Sequence, residues 1–252
     1  AICSPALNNR LHLCVITMMK RLMMILVLAQ TFACTKQETM ENLPPTPVVP
    51  GFPQPNTWLA LGDSYTIGQG VAAAERYPAQ TVQFLAQKNI SINSPTYIAT
   101  TGWTTIDLQN AIKSKNPENH TIVSLLIGVN DQYQKRDTTG YRQRFAGLLG
   151  NAIALANGKK ENVFVLSIPD YSVTPYASTS DTARMRIEID WFNQINKSVT
   201  ASYGCPYLDI TGFTREGRTN RDLISGDGLH PSGIDYKRWA DQLATLIQKV
   251  LN

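Results

Sequence analysis

The chain has 252 residues, of which 43% are apolar, 17% are charged and 8% are aromatic. These values lie close to the averages of soluble globular domains, and they exclude a disordered, collagen-like or coiled-coil protein. The formal net charge of +4 comes from 23 basic and 19 acidic residues. A chain of this length can fold as one large domain or two small ones, and the order of its segments favours one.

The first segment has the features of an export signal. Two methionines and a basic pair, Lys20 and Arg21, precede an apolar run over residues 22–33. A helix needs about 20 residues to span a bilayer, so a run this short favours a secretory signal. A buried core helix is the alternative, although the polar, proline-rich segment that follows gives it no surface to pack against. Residues 1–17 precede the candidate initiator methionines, and we set residues 1–33 apart from the fold as a leader.

Cys34 follows the small residue Ala33. This junction resembles the cleavage site of bacterial lipoprotein signals, which implies that Cys34 is lipidated and anchors an exported protein in the cell envelope. Thr31 departs from that pattern, which usually has leucine at this position. Ordinary signal cleavage after Ala33 therefore stays an alternative.

The excess positive charge belongs to the leader. Residues 1–33 contain Arg10, Lys20 and Arg21 and no acidic residue, so the remaining chain has 20 basic and 19 acidic residues and a formal charge of +1. This balance gives no electrostatic footprint for nucleic acid or anionic lipid, so any membrane contact would come through Cys34. Only Cys34 and Cys205 remain after processing, and we predict that Cys205 is a small buried apolar residue.

Residues 34–56 contain six prolines, which disfavour helix and favour an extended, solvated backbone. We predict that this segment is a tether between the anchor and a folded domain over residues 57–252. An N-terminal arm that wraps around the domain surface is the alternative.

Beyond residue 57, short apolar runs alternate with longer amphipathic segments. This alternation predicts a parallel five-stranded sheet within a three-layer α/β/α sandwich. Strands are predicted at Trp58 to Leu61, Tyr97 to Thr100, Ile122 to Ile127, Val163 to Ile168 and Tyr207 to Ile210, and helices near residues 76–88, 104–114, 139–157, 180–201 and 233–250.

Short motifs rich in glycine and polar residues follow three of the predicted strands. They lie at the sheet edge where such folds bind ligands. They are Gly62-Asp63-Ser64, Gly102 and Gly128-Val129-Asn130-Asp131. Glycine, aspartate and asparagine are common in turns, but three motifs at one sheet edge are not explained by turn preference alone.

A serine nucleophile needs a base, and the chain has three histidines. His12 lies in the leader and His120 precedes the third strand, at the wrong end of the sheet, which leaves His230. A surface or core histidine is the alternative role for His230. Asp227 lies three residues before it and can hold its Nδ1 proton, or can merely cap the turn.

These motifs, together with Asp227-Gly228-Leu229-His230, resemble the four blocks of the SGNH, or GDSL-type, hydrolase superfamily. The resemblance covers residues 58–232 and implies a flavodoxin-like fold, esterase or acylhydrolase activity and no cofactor or metal. It implies that Ser64, Asp227 and His230 are catalytic, and that the oxyanion hole comprises the backbone amides of Ser64 and Gly102 and the side chain of Asn130. A plain turn glycine is the alternative for Gly102. Four further residues are predicted to bind substrate: Asp63, Asp131, Tyr133 and Tyr171.

Other serine and phosphate motifs do not fit. Residues 62–68 lack the Lys-Ser/Thr of a phosphate-binding loop, and the serine lacks the Gly-x-Ser-x-Gly elbow of α/β-hydrolases. A binuclear metallophosphoesterase would need more histidine ligands. A non-catalytic binding lipoprotein of the same fold stays the alternative from another class.

For the substrate, the absence of a long apolar lid in the sequence predicts short acyl groups, such as acetyl groups on carbohydrate. Lysophospholipids and thioesters remain alternatives. We expect a small-molecule or glycan ester as the only partner, and a monomer.

Overall fold

The computed structural model describes residues 55–134 and 139–251. The predicted leader, Cys34 and all but the last two residues of the predicted tether lie outside these residues. Within the described part, no helix is both long enough and apolar enough to cross a membrane.

Five parallel strands form one sheet, in the order β2-β1-β3-β4-β5. This confirms the predicted fold class. The strands are β1 (Trp58–Gly62), β2 (Thr96–Ala99), β3 (Ile122–Leu126), β4 (Val163–Leu166) and β5 (Tyr207–Leu208). All five strands begin within one residue of their predicted starts. Strands β4 and β5 end two residues earlier than predicted.

The central strands are buried on both faces. Every residue of β1, β3 and β4 is buried, whereas β2 at the sheet edge is half exposed. Their continuous apolar runs are typical of parallel strands covered by helices on both sides. The exception is Ser124 in β3, whose hydroxyl accepts a hydrogen bond from Trp58 Nε1 (3.0 Å) and contacts the Tyr77 hydroxyl (3.4 Å). These partners satisfy a polar group that would otherwise destabilise the core.

Five long helices match the predicted segments within two residues at each end. Three short helices were not predicted, and each begins within four residues of a strand end. The helices are α1 (Ser64–Ile67), α2 (Tyr77–Gln87), α3 (Thr105–Lys115), α4 (Val129–Tyr133), α5 (Tyr141–Leu155), α6 (Thr182–Tyr203), α7 (Thr211–Arg215) and α8 (Gly233–Leu251).

The long helices cover the two faces of the sheet. Helix α8 packs closely against α2 on one face, while α5 packs against both α3 and α6 on the other. The buried stripe of α8 includes Tyr236, Ala240, Leu243 and Ile247. Helix α8 therefore locks the C-terminal end of the chain against the segment that follows β1.

Cys205, in the turn before β5, is 9% exposed, which confirms the prediction that it is a buried residue. Burial raises the pKa of its thiol to about 11. The thiol is therefore protonated and unreactive at neutral pH.

Candidate active site

The candidate nucleophile lies in the sharp turn between β1 and α1. Asp63 caps α1 by accepting a hydrogen bond from the Tyr65 amide (3.0 Å), and Ser64 is the first residue of the helix. Gly62 allows the turn, because a Cβ there would lie 2.4 Å from the Leu126 carbonyl oxygen. The Ser64 side chain is thus held at the carboxyl end of β1.

The structure brings together the three predicted catalytic residues. His230 Nε2 lies 2.9 Å from Ser64 Oγ, and His230 Nδ1 lies 2.7 Å from Asp227 Oδ2. These partners assign the proton to Nδ1, so that Nε2 accepts from the serine hydroxyl. The structure therefore places Ser64 and His230 in contact. The ring of Tyr65 lies beside the imidazole, with 4.9 Å between the ring centroids.

Asp227 is fixed in place by three donors. Its Oδ1 accepts hydrogen bonds from Ser225 Oγ (2.7 Å), the Leu229 amide (2.9 Å) and the His230 amide (2.9 Å). Burial acts to raise the pKa of Asp227, but these bonds outweigh it and lower the pKa to about 2. Asp227 therefore caps the turn and also holds the imidazole, and it is ionised at neutral pH. Ser225 was not predicted, because its role depends on the folded loop.

A cavity of about 200 Å³ opens beside Ser64 and His230. Gly102 and Asn130 line it together with Ser64. Among the described residues, the amides of Ser64 and Gly102 donate to no protein acceptor. Gly102 has φ +80, and a Cβ there would meet no atom within 4 Å, so the backbone conformation rather than close packing favours glycine.

Hydrogen bonds fix the Asn130 side chain on the side that faces away from the cavity. Its side-chain nitrogen donates to the Trp103 carbonyl oxygen (3.0 Å) and lies 3.4 Å from Asp63 Oδ2. The second contact is long for a hydrogen bond. Asn130, Gly102 and Ser64 thus converge on one cavity from three different strand ends.

Comparison with known proteins identifies the family of the chain. The sequence model of the GDSL-like lipase/acylhydrolase family matches residues 60–238, which include all four motifs. The chain belongs to this family. A search of the curated proteins found no match.

Solved structures of esterases share the fold at low sequence identity. The esterase EstA from Pseudoalteromonas sp. is 18% identical, with a TM-score of 0.56 over 78% of this chain and 99% of that chain. A lipase/acylhydrolase from Enterococcus faecalis is 19% identical, with a TM-score of 0.57 over 77% and 96%. A variant of Axe2, an acetyl xylan esterase from Geobacillus stearothermophilus, is 18% identical, with a TM-score of 0.54 over 76% and 94%.

Two predicted substrate contacts of this GDSL-type hydrolase are wrong. Asp63 is fully buried and Asp131 is 1% exposed, and neither lines the cavity. Asp63 caps α1, whereas Asp131 accepts hydrogen bonds from the Thr105 amide (2.8 Å) and hydroxyl (2.7 Å) and so ties α4 to α3. Both carboxylates hold the strand-end loops in place and leave substrate contact to other residues.

The burial of Asp63 has a consequence for stability. Burial raises its pKa from 3.8 to about 8, so the folded state keeps a proton that the unfolded state releases between these values. We expect the free energy of unfolding to fall as the pH rises from about 4 to about 8, and to fall less steeply in Asp63→Asn. Urea denaturation at several pH values measures both slopes.

The matched control for this experiment is Asp241→Asn, which removes an exposed carboxylate of α8. Its slope should equal that of the wild type. Parallel profiles for Asp63→Asn and the wild type would contradict a raised pKa at Asp63.

Three tyrosines form one wall of the cavity: Tyr133, Tyr171 and Tyr176. The first two were predicted to bind substrate, and the structure places both at the cavity. Tyr171 is 5% exposed and donates to Gln132 Oε1 (2.8 Å), whereas Tyr133 and Tyr176 are about half exposed and their hydroxyls contact each other. Tyr176 lies in the loop after β4, and its sequence context did not distinguish it from a solvated residue.

Among residues 55–134 and 139–251, no three His, Cys, Asp or Glu side chains are grouped as metal ligands. Other cavity residues, to which no role was assigned from the sequence, come from the motifs themselves and from the loops beside them. They are Tyr65, Gln69, Thr101, Val129 and Leu229.

Proposed function

We propose that this GDSL-type hydrolase is a serine esterase that acts through an acyl-enzyme and prefers short acyl groups. The observation that carries the proposal is the chain of hydrogen bonds from Asp227 through His230 to Ser64, which ends at the cavity. A serine hydroxyl becomes a nucleophile when a neighbouring imidazole takes its proton.

The reaction follows from this geometry. Ser64 Oγ attacks the ester carbonyl carbon as His230 Nε2 takes the hydroxyl proton, and Asp227 stabilises the imidazolium that forms. The tetrahedral intermediate breaks its bond to the alcohol oxygen, which receives the proton from His230. Water then attacks the acyl-serine by the same route and releases the carboxylic acid and free Ser64.

The developing negative charge on the carbonyl oxygen needs donors that are already aimed at it. The amides of Ser64 and Gly102 supply two, since neither donates to a described protein acceptor. We assign the third to Asn130, whose bond to the Trp103 carbonyl oxygen anchors one N–H. Its other N–H makes only the long contact with Asp63, so a substrate oxygen can compete for it.

The size of the cavity supports short acyl groups. Its volume of about 200 Å³ is below the roughly 300–1,000 Å³ of common small-molecule pockets. Tyr133, Tyr171 and Tyr176 close one side of it, and Tyr171 is held by its bond to Gln132. Acetylated carbohydrate is the substrate class we favour.

A series of p-nitrophenyl esters from acetate to octanoate tests the preference. We expect kcat/KM to be highest for acetate or butyrate and to fall by about tenfold or more at octanoate, because the longer chain does not fit within the tyrosine wall. A maximum at octanoate would contradict the proposal and favour a lysophospholipase or thioesterase. No hydrolysis of any ester would favour a non-catalytic binding protein.

We also propose that the catalytic domain, residues 57–252, is an exported monomer tethered through the proline-rich segment to a lipid on Cys34. The support is the basic and apolar leader and the Ala33-Cys34 junction. Metabolic labelling with a palmitate analogue, compared between the wild type and Cys34→Ala, tests the anchor.

A further inference from the structure

A second cavity, of about 340 Å³, lies on the other side of the tyrosine wall. Tyr133, Tyr171 and Tyr176 line both cavities. A substrate whose ester lies at Ser64 can therefore extend across the tyrosine rings into this second space. Nothing in the proposed acyl-transfer chemistry uses it.

The far wall of the second cavity is polar and well ordered by hydrogen bonds. Tyr171 donates to Gln132, Gln132 Nε2 donates to Glu188 Oε2 (2.7 Å), and Arg184 Nε donates to Glu188 Oε1 (2.7 Å). This chain joins the loop after β4, helix α4 and the first half of α6. The polar groups are thus held in fixed positions, which favours recognition of a ligand with several hydroxyl groups.

The charges of the second cavity disfavour an anionic ligand. Among the described residues, its lining contains two carboxylates, Asp181 and Glu188, and one guanidinium, Arg184. Arg184 is paired with Glu188, and its backbone amide is capped by Asp181 Oδ1 (3.1 Å). A phosphate or a carboxylate on the ligand would therefore meet a net negative charge from the lining residues that the structure describes.

The tyrosines at the boundary present aromatic faces to a ligand. Tyr133 is 50% exposed and Tyr176 is 49% exposed, and their ring centroids are 6.2 Å apart. Large rings with an apolar face and a polar hydroxyl can cover the apolar face of a sugar ring while bonding its hydroxyls. A long acyl chain would match these faces but not the charged far wall.

We propose that the second cavity binds a neutral sugar unit of the alcohol part of the ester, and that Tyr133 and Tyr176 select acylated glycans over esters of simple alcohols. This inference rests on the proposed function, because it places the scissile ester at Ser64. It names the substrate class as short-chain esters of neutral oligosaccharides.

The test compares two substrates on the same variants, namely an acetylated neutral xylooligosaccharide and p-nitrophenyl acetate. In Tyr176→Ala, the ratio of kcat/KM for the oligosaccharide to kcat/KM for p-nitrophenyl acetate should fall about fivefold to tenfold. Tyr176→Phe keeps the aromatic face and should keep most of the ratio. Tyr203→Ala, which removes another exposed tyrosine at the end of α6, is the matched control and should leave the ratio unchanged.

A second measurement compares a negatively charged substrate with a neutral one. An acetylated oligomer of a uronic acid should be hydrolysed at least fivefold less efficiently than the neutral oligosaccharide, and Glu188→Gln should narrow this difference. The melting temperature of each variant shows whether the substitution has destabilised the fold.

The outcomes separate the two proposals. If the wild type hydrolyses p-nitrophenyl acetate but the ratio is the same in Tyr176→Ala and the wild type, the sugar site is wrong and the esterase stands. If the uronic acid ester is hydrolysed more efficiently than the neutral one, the proposal that the second cavity prefers a neutral sugar is wrong. If no ester is hydrolysed by the wild type, the proposed function itself fails.

Discussion

Replacing Ser64 with alanine is expected to lower kcat for p-nitrophenyl acetate by about 10⁵-fold. The reason is that the hydroxyl 2.9 Å from His230 Nε2 is the atom that would form the acyl-enzyme. Without it, only the amide donors and substrate binding remain to assist water. Rapid mixing with excess substrate measures this directly, because the wild type should release a burst of p-nitrophenol and the variant should not.

Ser94→Ala is the matched control, since Ser94 is an exposed serine in the loop before β2. It should keep both the burst and the steady rate. Labelling with a fluorophosphonate followed by mass spectrometry should place the adduct on the peptide that contains Ser64. An adduct elsewhere, or equal rates for Ser64→Ala and the wild type, would remove the serine mechanism.

The second large effect is expected from Asp227→Asn, which should lower kcat by about 10³-fold or more. The asparagine oxygen can still accept from Ser225, Leu229 and His230, so the loop should keep its shape. Its amide nitrogen would instead face His230 Nδ1. The imidazole would then carry its proton on Nε2 and could no longer accept the proton of Ser64.

This substitution separates the orientation of the imidazole from the folding of the loop. The melting temperature should change little, while the burst should disappear. Asp222→Asn, an exposed carboxylate earlier in the same segment, is the control and should retain activity. Wild-type activity in Asp227→Asn would show that Asp227 only shapes the turn.

The elements predicted correctly are those whose burial extends over a whole segment. Strands β1, β3 and β4 are continuous apolar runs, and the stripe of α8 repeats with the helical period, so both patterns can be recognised locally. Helices α1, α4 and α7 have only four or five residues. One turn of helix is too short to show a period. Contacts with distant residues hold two of these helices, since Asp131 of α4 accepts from Thr105 and the Thr211 amide of α7 donates to Ser167.

The site shows the same division. Ser64 and His230 could be paired because the chain offers few histidines and the strand order fixes the edge to which each loop belongs. The roles of Asp63 and Asp131 could not be assigned, because spacing does not reveal that the carboxylates point beneath the cavity, toward the Tyr65 amide and Thr105. Tyr176 meets Tyr133 across 43 residues, a contact that only the folded chain creates.

The packing of α8 against α2 also determines when, during folding of the chain, the proposed active site can form. Ser64 and His230 are separated by 166 positions, so a ribosome finishes the nucleophile long before it adds the base. The loop that carries His230 leads directly into α8, whose buried face must dock before the imidazole is held beside the serine. A chain that lacks α8 would leave the proposed nucleophile without its base, and we expect such a chain to be inactive.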